Sequence, residues 1–184
     1  MKFGGTSMGS AERIRVAARI AAEGKARRPV VVVVSAMSGV TDLLIDTLRH
    51  AEVGDREGME VKLRQLEERH LETCRELIPA GERAATLAAI ENKIADFRRI
   101  ARGMLMLGER PPRSVDEGIA IGEHLSSLLM AAYLRSQGVP AEAVNCAEII
   151  VTDSVFGSAS PLLEPTRERA RARLLPMLES GALP

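Results

Sequence analysis

An unbroken apolar run, Val30–Val34, stands out in a chain whose other apolar residues mostly recur at helical spacing. A run of β-branched residues with no polar alternation favours a strand buried on both faces, as in a parallel sheet. Turns rich in glycine and hydroxyl groups occur at Gly4–Ser7, close to the start, and at Ser35–Asp42, directly after the valines. The pattern predicts a βαβ unit in which each of two strands is followed by such a turn and then by a helix.

Spacings of three and four residues between apolar positions predict several helices. Ser10 is a suitable N-cap for the first, and Ser114 with Glu117 has the spacing of a capping box for a later one. A short apolar segment over 139–146 predicts a further strand. The predicted helices cover about 11–23, 41–52, 115–136 and 166–179.

Two long amphipathic segments joined by Pro79-Ala80-Gly81 predict a helical hairpin over about 56–107. We expect this hairpin to project from an α/β core. His70 falls on its apolar stripe, and no other His or Cys lies at ligand spacing from it. A histidine satisfied within the core is therefore favoured over a metal ligand.

Composition narrows the classes of function. The chain has 184 residues, with 25 Lys and Arg against 25 Asp and Glu, so no net charge draws it to nucleic acid or to a membrane surface. No apolar run reaches the roughly 18 residues of a membrane span, and no signal peptide is visible. Cys74 and Cys146 are interpreted as reduced, buried residues of a cytoplasmic protein, and no residue is predicted to bind a metal.

The segment Lys2-Phe3-Gly4-Gly5-Thr6-Ser7 carries the first candidate chemistry. Two glycines allow backbone N–H groups to approach an anion, and the lysine adds a positive charge. An ordinary strand-to-helix turn remains an equal alternative on these residues alone, and the segment is not a Walker loop. Gly118 and Gly122 are further signals, because each glycine costs a helix about 1 kcal/mol relative to alanine and so indicates a packing or functional reason.

Four motifs together resemble those of aspartokinases, in the amino acid kinase family. They are Lys2–Ser7, Val34–Asp42, Gly122–Ser127, and Val151–Asp153 with Phe156-Gly157. The resemblance implies an α/β fold, a three-layer α/β/α sandwich with a mainly parallel sheet. It also implies that residues 1–184 are the amino-terminal, amino-acid-binding part of a kinase domain. The Gly-Arg-Gly-Gly motif of the family is missing, and the nucleotide-binding part and the ACT domains are expected to be absent.

The activity implied by the resemblance is transfer of the γ-phosphoryl group of ATP, accompanied by Mg²⁺, to the β-carboxylate of L-aspartate. Lys2 would be the catalytic residue, and Lys2, Gly4 and Gly5 would bind the phosphates. The isolated chain is expected to be inactive and the protein to be a homo-oligomer. The alternative is a non-catalytic binding or oligomerisation module derived from an amino acid kinase.

The same resemblance assigns the amino acid substrate to three other residues. Ser35 and Thr41 would hold the aspartate, and Glu123 would pair with its ammonium group. An exposed helical carboxylate is the commoner role for a glutamate, and it is the surrounding Gly-Glu-x-Leu-Ser sequence that favours substrate binding.

Overall fold

Seven α-helices and one small parallel sheet make up the chain. The structure is a computed structural model that describes residues 1–184. The strands are β1 (Lys2–Phe3) and β2 (Val33–Val34). The helices are α1 (Ala11–Lys25), α2 (Val40–Glu52), α3 (Arg56–Leu77), α4 (Ala84–Leu107), α5 (Pro112–Ile119), α6 (Ile121–Ser136) and α7 (Leu163–Glu179).

The predicted βαβ unit is present. Strands β1 and β2 pair in parallel, with Lys2 opposite Val33 and Phe3 opposite Val34, and α1 connects them. Helix α1 begins where predicted, because the Ser10 hydroxyl accepts the Arg13 N–H at 3.3 Å. The valine run is thus a strand over two residues only, shorter than predicted.

The three-layer sandwich with a mainly parallel sheet is not observed. Beyond β2 the sheet continues only as isolated main-chain bonds: the Val32 N–H donates to the Pro184 carbonyl at 2.9 Å, and Ala141 forms a parallel bridge with Leu183. The predicted strand over 139–146 is wrong, since only Ala141 pairs and a 3₁₀ turn starts at Cys146. Apart from the bond between Val32 and Pro184, the far side of the valine run lines a cavity and pairs with no further strand.

The helical hairpin is confirmed as α3 and α4, but the expectation that it projects from the core is wrong. Both helices pack on α2, and α4 also packs on α6. Leu63, Leu66 and Phe97 are completely buried and belong to the same hydrophobic cluster as the apolar faces of α2 and α6. The apolar stripes of the hairpin therefore build the main core of the molecule.

The predicted helix over 115–136 is two helices with a break at Ala120. Helix α5 begins at Pro112, because proline suits the first position of a helix, where no N–H is needed. Ser114 and Glu117 consequently lie inside α5, and the predicted capping box is not formed. The break starts a new helix, α6, whose first turn contains Gly122 and Glu123.

Candidate functional site

The two glycine-containing turns lie at one edge of the sheet. Parallel strands place their carboxyl ends together, so the turn after β1 and the turn after β2 become neighbours. Contact between them is close: a Cβ added to Gly5 would lie 3.1 Å from the carbonyl oxygen of Ala36. A side chain at position 5 would therefore push the two turns apart.

Lys2 and the first glycine turn form the positively charged side of this edge. Lys2 is exposed, and its Nζ atom lies 3.8 Å from the position that a Cβ on Gly4 would occupy. The Gly4 carbonyl accepts the N–H groups of Ser7 and Met8, at 2.9 and 3.2 Å. The first N–H groups of the 3₁₀ turn Gly5–Met8 have no acceptor within that turn and suit an anion.

Glu123 reaches this edge from the first turn of α6. Its side chain is half-buried, and Oε1 accepts the main-chain N–H of Ala36 at 3.1 Å. This bond joins residues that are 87 positions apart in the chain. The other oxygen, Oε2, accepts no hydrogen bond from the protein, so one half of the carboxylate is available to a ligand.

Ser35 and Thr41 lie at opposite ends of the turn after β2. Ser35 is half-buried, and its N–H donates to the Phe3 carbonyl at 3.0 Å, which places the residue beside Ala36 and the Glu123 carboxylate. Thr41 is exposed in the first turn of α2, which begins after Gly39 with its positive φ of 77°. Ser35 thus precedes the residue that bonds to Glu123, whereas Thr41 lies at the far end of the turn.

Arg69 of α3 is a residue of this region that the sequence reasoning missed. Its Nη2 atom donates to the Gly9 carbonyl at 3.4 Å, and Nη1 lies 4.0 Å from the position of a Cβ on Gly39. The half-buried guanidinium therefore bonds to Gly9, just after the first glycine turn, and lies near Gly39 in the second. A signal was available, because Arg69 lies three residues after Leu66 and four before Thr73, both of them buried, at the edge of the apolar stripe.

A cavity of about 510 Å³ borders β2 on the side away from β1. Its wall is mostly apolar, with Glu123, His124 and Ser127 among the few polar residues. Burying a charged ligand in the apolar part would cost far more than leaving it at the polar rim. A charged ligand would therefore fit best at the rim, where Glu123 meets the turn after β2.

The buried titratable groups lie away from this edge. His70 is completely buried in α3; its Nδ1 is 2.7 Å from the Leu66 carbonyl and its Nε2 has no hydrogen-bond partner. Burial lowers the pKa of His70 to about 4. Burial also raises the pKa of the Cys74 thiol, whereas Cys146 is exposed, contrary to the prediction that both cysteines are buried.

The structure contains no cluster of side chains that could hold a metal ion and no helix that could cross a membrane. No three or more His, Cys, Asp or Glu side chains lie together, so these residues do not form a carboxylate cage for Mg²⁺, and we assign none of them to it. None of the helices combines the length and the apolar character needed to cross a bilayer.

Comparisons with known proteins identify the family of this chain. The model of the amino acid kinase family matches residues 1–184. The aspartokinase of Chlamydia trachomatis is 36% identical over 160 residues, 87% of this chain and 33% of that protein. The chloroplastic bifunctional aspartokinase/homoserine dehydrogenase 1 of Arabidopsis thaliana is 29% identical over 173 residues, 94% of this chain and 18% of that protein.

The fold has close counterparts among solved structures. E. coli aspartokinase III in complex with aspartate and ADP superposes with a TM-score of 0.87 and 27% identity, over 99% of this chain and 38% of that one. The same enzyme in complex with lysine and aspartate gives a TM-score of 0.86. The chain thus spans about a third of the aspartokinases that it matches and less of the bifunctional enzyme. With its motifs, its fold and the family match in agreement, the chain belongs to the amino acid kinase family and resembles the amino-terminal part of an aspartokinase.

Proposed function

We propose that this chain binds L-aspartate as the amino-acid-binding part of an aspartate kinase. The observation that carries the proposal is the Glu123 carboxylate, which the Ala36 N–H holds at the edge of the sheet with one oxygen available. A carboxylate fixed in this way suits the ammonium group of an amino acid, since charge-assisted hydrogen bonds are about twice as strong as neutral ones. The similarity to an aspartokinase solved with aspartate and ADP supports the same substrate class.

The reaction would be a direct phosphoryl transfer. An oxygen of the β-carboxylate of aspartate forms a bond to the γ-phosphorus of ATP while the bond to the β-phosphate oxygen breaks, which gives aspartyl phosphate and ADP. A carboxylate is already a nucleophile at neutral pH, so no general base is required. Catalysis would therefore consist of positioning and charge neutralisation.

Different residues at this edge would bind the phosphates and the aspartate. Lys2 and the N–H groups of the Gly4-Gly5 turn would neutralise charge on the phosphates, because they form the positive side of the edge. Ser35 and Thr41 would hold aspartate through their hydroxyl groups, and Glu123 would bind its ammonium. We propose that the remaining contacts to ATP lie outside these residues, so the isolated chain binds the amino acid without turning over ATP.

Calorimetric titration of the chain with L-aspartate and with succinate tests the proposal. Succinate has the two carboxylates of aspartate but no ammonium, so the wild-type chain is expected to bind aspartate more tightly. Glu123→Gln keeps the shape of the side chain and removes its charge, and it should weaken aspartate binding by about 1.5–3 kcal/mol, the usual range for hydrogen bonds to charged groups. Succinate binding should hardly change.

Glu117→Gln is the matched control. Glu117 lies on the preceding helix, α5, where its exposed carboxylate pairs with Arg113 at 3.2 Å. This variant should bind both acids as the wild type does. A ratio of aspartate to succinate affinity that is the same in wild type and Glu123→Gln would show that Glu123 does not recognise the ammonium, and the proposed site would be wrong.

A further inference from the structure

Gly122, the second residue of α6, lies against the turn after β2 more closely than any other residue type would permit. A Cβ added to it would lie 2.8 Å from the Cβ of Ala36, and 3.3 Å from methyl carbons of both Val40 and Leu44. Real Cβ atoms essentially never show a separation below 3.0 Å. Because the Ala36 Cβ is attached directly to the main chain, it cannot rotate away, and either α6 or the turn would have to move.

At the other glycines of the α-helices, the atoms that an added Cβ would meet can move. At Gly24 of α1 and Gly58 of α3 the collisions would be closer still, but they involve side-chain atoms of Met1, His50 and Asp55. Gly103 of α4 has open space where a Cβ would lie. Gly118 of α5 faces side-chain atoms of Leu48 and Phe97 at 3.1 and 3.3 Å, which repacking of flexible side chains can relieve. A glycine in a helix costs about 1 kcal/mol relative to alanine. At Gly122 the close packing of α6 on Ala36 would offset this cost.

Ala36 is the partner of two consecutive residues of α6. Its Cβ faces Gly122, and its N–H donates to the Oε1 atom of Glu123 at 3.1 Å. That distance is already in the longer part of the normal range for N–H···O bonds, roughly 2.7–3.2 Å. If α6 withdrew from Ala36 by several tenths of an ångström to admit a methyl group, the bond to Glu123 would be lost.

We propose that Gly122 is a positioning residue for the amino acid site. Because Gly122 has no side chain, α6 can pack closely on Ala36. The Ala36 N–H then holds one oxygen of the Glu123 carboxylate, and the other oxygen is free to bind the ammonium group of the substrate. The identity of the ligand in this inference rests on the proposed function. The effect of residue 122 on the hydrogen bond between Ala36 and Glu123 is independent of the proposed function, and it can be measured without any ligand.

The first experiment follows the main-chain amide of Ala36 by NMR in the whole chain. Glu123→Ala defines the amide proton shift without the hydrogen bond, because it removes the acceptor whereas a glutamine oxygen would still accept. In Gly122→Ala the shift should move most of the way to that value, and amide exchange should become faster. Gly118→Ala adds the same methyl group in the preceding helix, α5, and should leave the Ala36 amide as in the wild type. An unchanged Ala36 amide in folded Gly122→Ala overturns the proposal.

A compensating variant keeps the test decisive if Gly122→Ala folds poorly. Gly122→Ala combined with Ala36→Gly removes the methyl group with which the new one collides, so folding should return. The residue 36 amide should then match that of the single variant Ala36→Gly in shift and in exchange rate. A purely helical effect of residue 122 would not respond to a change at residue 36. Failure of the double variant to restore the bond also contradicts the proposal.

The second experiment measures binding of L-aspartate and succinate to the same variants. Gly122→Ala should weaken aspartate binding by about tenfold, as expected for a weakened hydrogen bond to a charged group, and leave succinate nearly unaffected. The double variant should recover most of the loss. If the wild-type chain binds neither acid, the proposed function fails while the amide measurements still decide the role of Gly122.

Discussion

At the scale of single residues, His70 is the buried ionisable group with the largest consequence for stability. Its ring is completely buried, and the Leu66 carbonyl occupies Nδ1 while Nε2 has no partner. The neutral ring fits this environment, whereas a second proton would introduce a charge that the core does not solvate. The lowered pKa of about 4 expresses this preference.

We therefore expect the chain to lose stability in moderately acidic solution. The unfolded chain takes up a proton on His70 near its ordinary pKa of about 6.5, and the folded chain does so only near 4. Between these values the free energy of unfolding should fall by up to about 1.4 kcal/mol for each pH unit, roughly 3 kcal/mol in total. Urea denaturation at a series of pH values measures this slope.

The variant His70→Leu separates this contribution from that of the carboxylates. It should flatten the slope in the acidic window, because the group that titrates differently in the two states is gone. The same slope in wild type and His70→Leu would mean that His70 takes up its proton over the same pH range in the folded and the unfolded chain, which would contradict this prediction.

At the scale of elements, the two glycines near the end of α4 have opposite roles. Gly103 lies inside the helix with open space around it, whereas Gly108 ends the helix with a φ of 65°. Gly103→Ala should raise the free energy of unfolding by roughly 0.5–1 kcal/mol, because alanine is the better helix former. Gly108→Ala should lower it by about 1–2 kcal/mol, since a side chain is strained in the left-handed region. Urea denaturation of both variants checks the signs, and a change in the same direction for both would contradict this assignment.

Helices were predictable from the sequence, and strands were much less so. Apolar periodicity located the hairpin, and cap and breaker residues helped to locate α1, α2 and α7, because all these signals depend only on residues that are near in the chain. The valine run over 30–34 forms a strand at only two residues, because pairing depends on chain segments far away in sequence. The capping box at Ser114 failed for a local reason, as Pro111-Pro112 start α5 earlier.

Only part of the candidate site was predictable from the sequence. The two glycine turns follow from the order of strand and turn residues, and parallel pairing of β1 with β2 brings them together. The contact of Gly122 and Glu123 with Ala36 requires the packing of α6 on the turn, which no local pattern contains. Arg69 was missed because a charged residue on an amphipathic helix usually belongs to the solvated face.

At the scale of the whole molecule, the hairpin and α6 share one hydrophobic core, so we expect them to unfold as one cooperative unit. Phe97 of α4 is completely buried, within the same cluster as Leu125 and Leu129 of α6. A projecting hairpin would open independently, but a hairpin that builds the core should open only when the whole chain unfolds.

Native-state hydrogen exchange on Phe97→Ala measures this coupling. Truncating a buried phenylalanine costs about 3–5 kcal/mol, and the slowest amides of α3, α4 and α6 should all exchange faster by the same factor. Val61→Ala is a suitable control, since Val61 lies exposed on α3 and its loss should change the exchange little. Acceleration confined to α3 and α4 would show that the hairpin is a separate unit.

The two cysteines differ in a way that makes the chain convenient to observe. Cys74 is buried with a raised thiol pKa, so it should react slowly with maleimides, which attack the thiolate. Cys146 is exposed and borders the same cavity as Glu123. A fluorophore or nitroxide can therefore be attached at one defined point of the native sequence, on the cavity that Glu123 also lines, and we expect its signal to change when an amino acid binds.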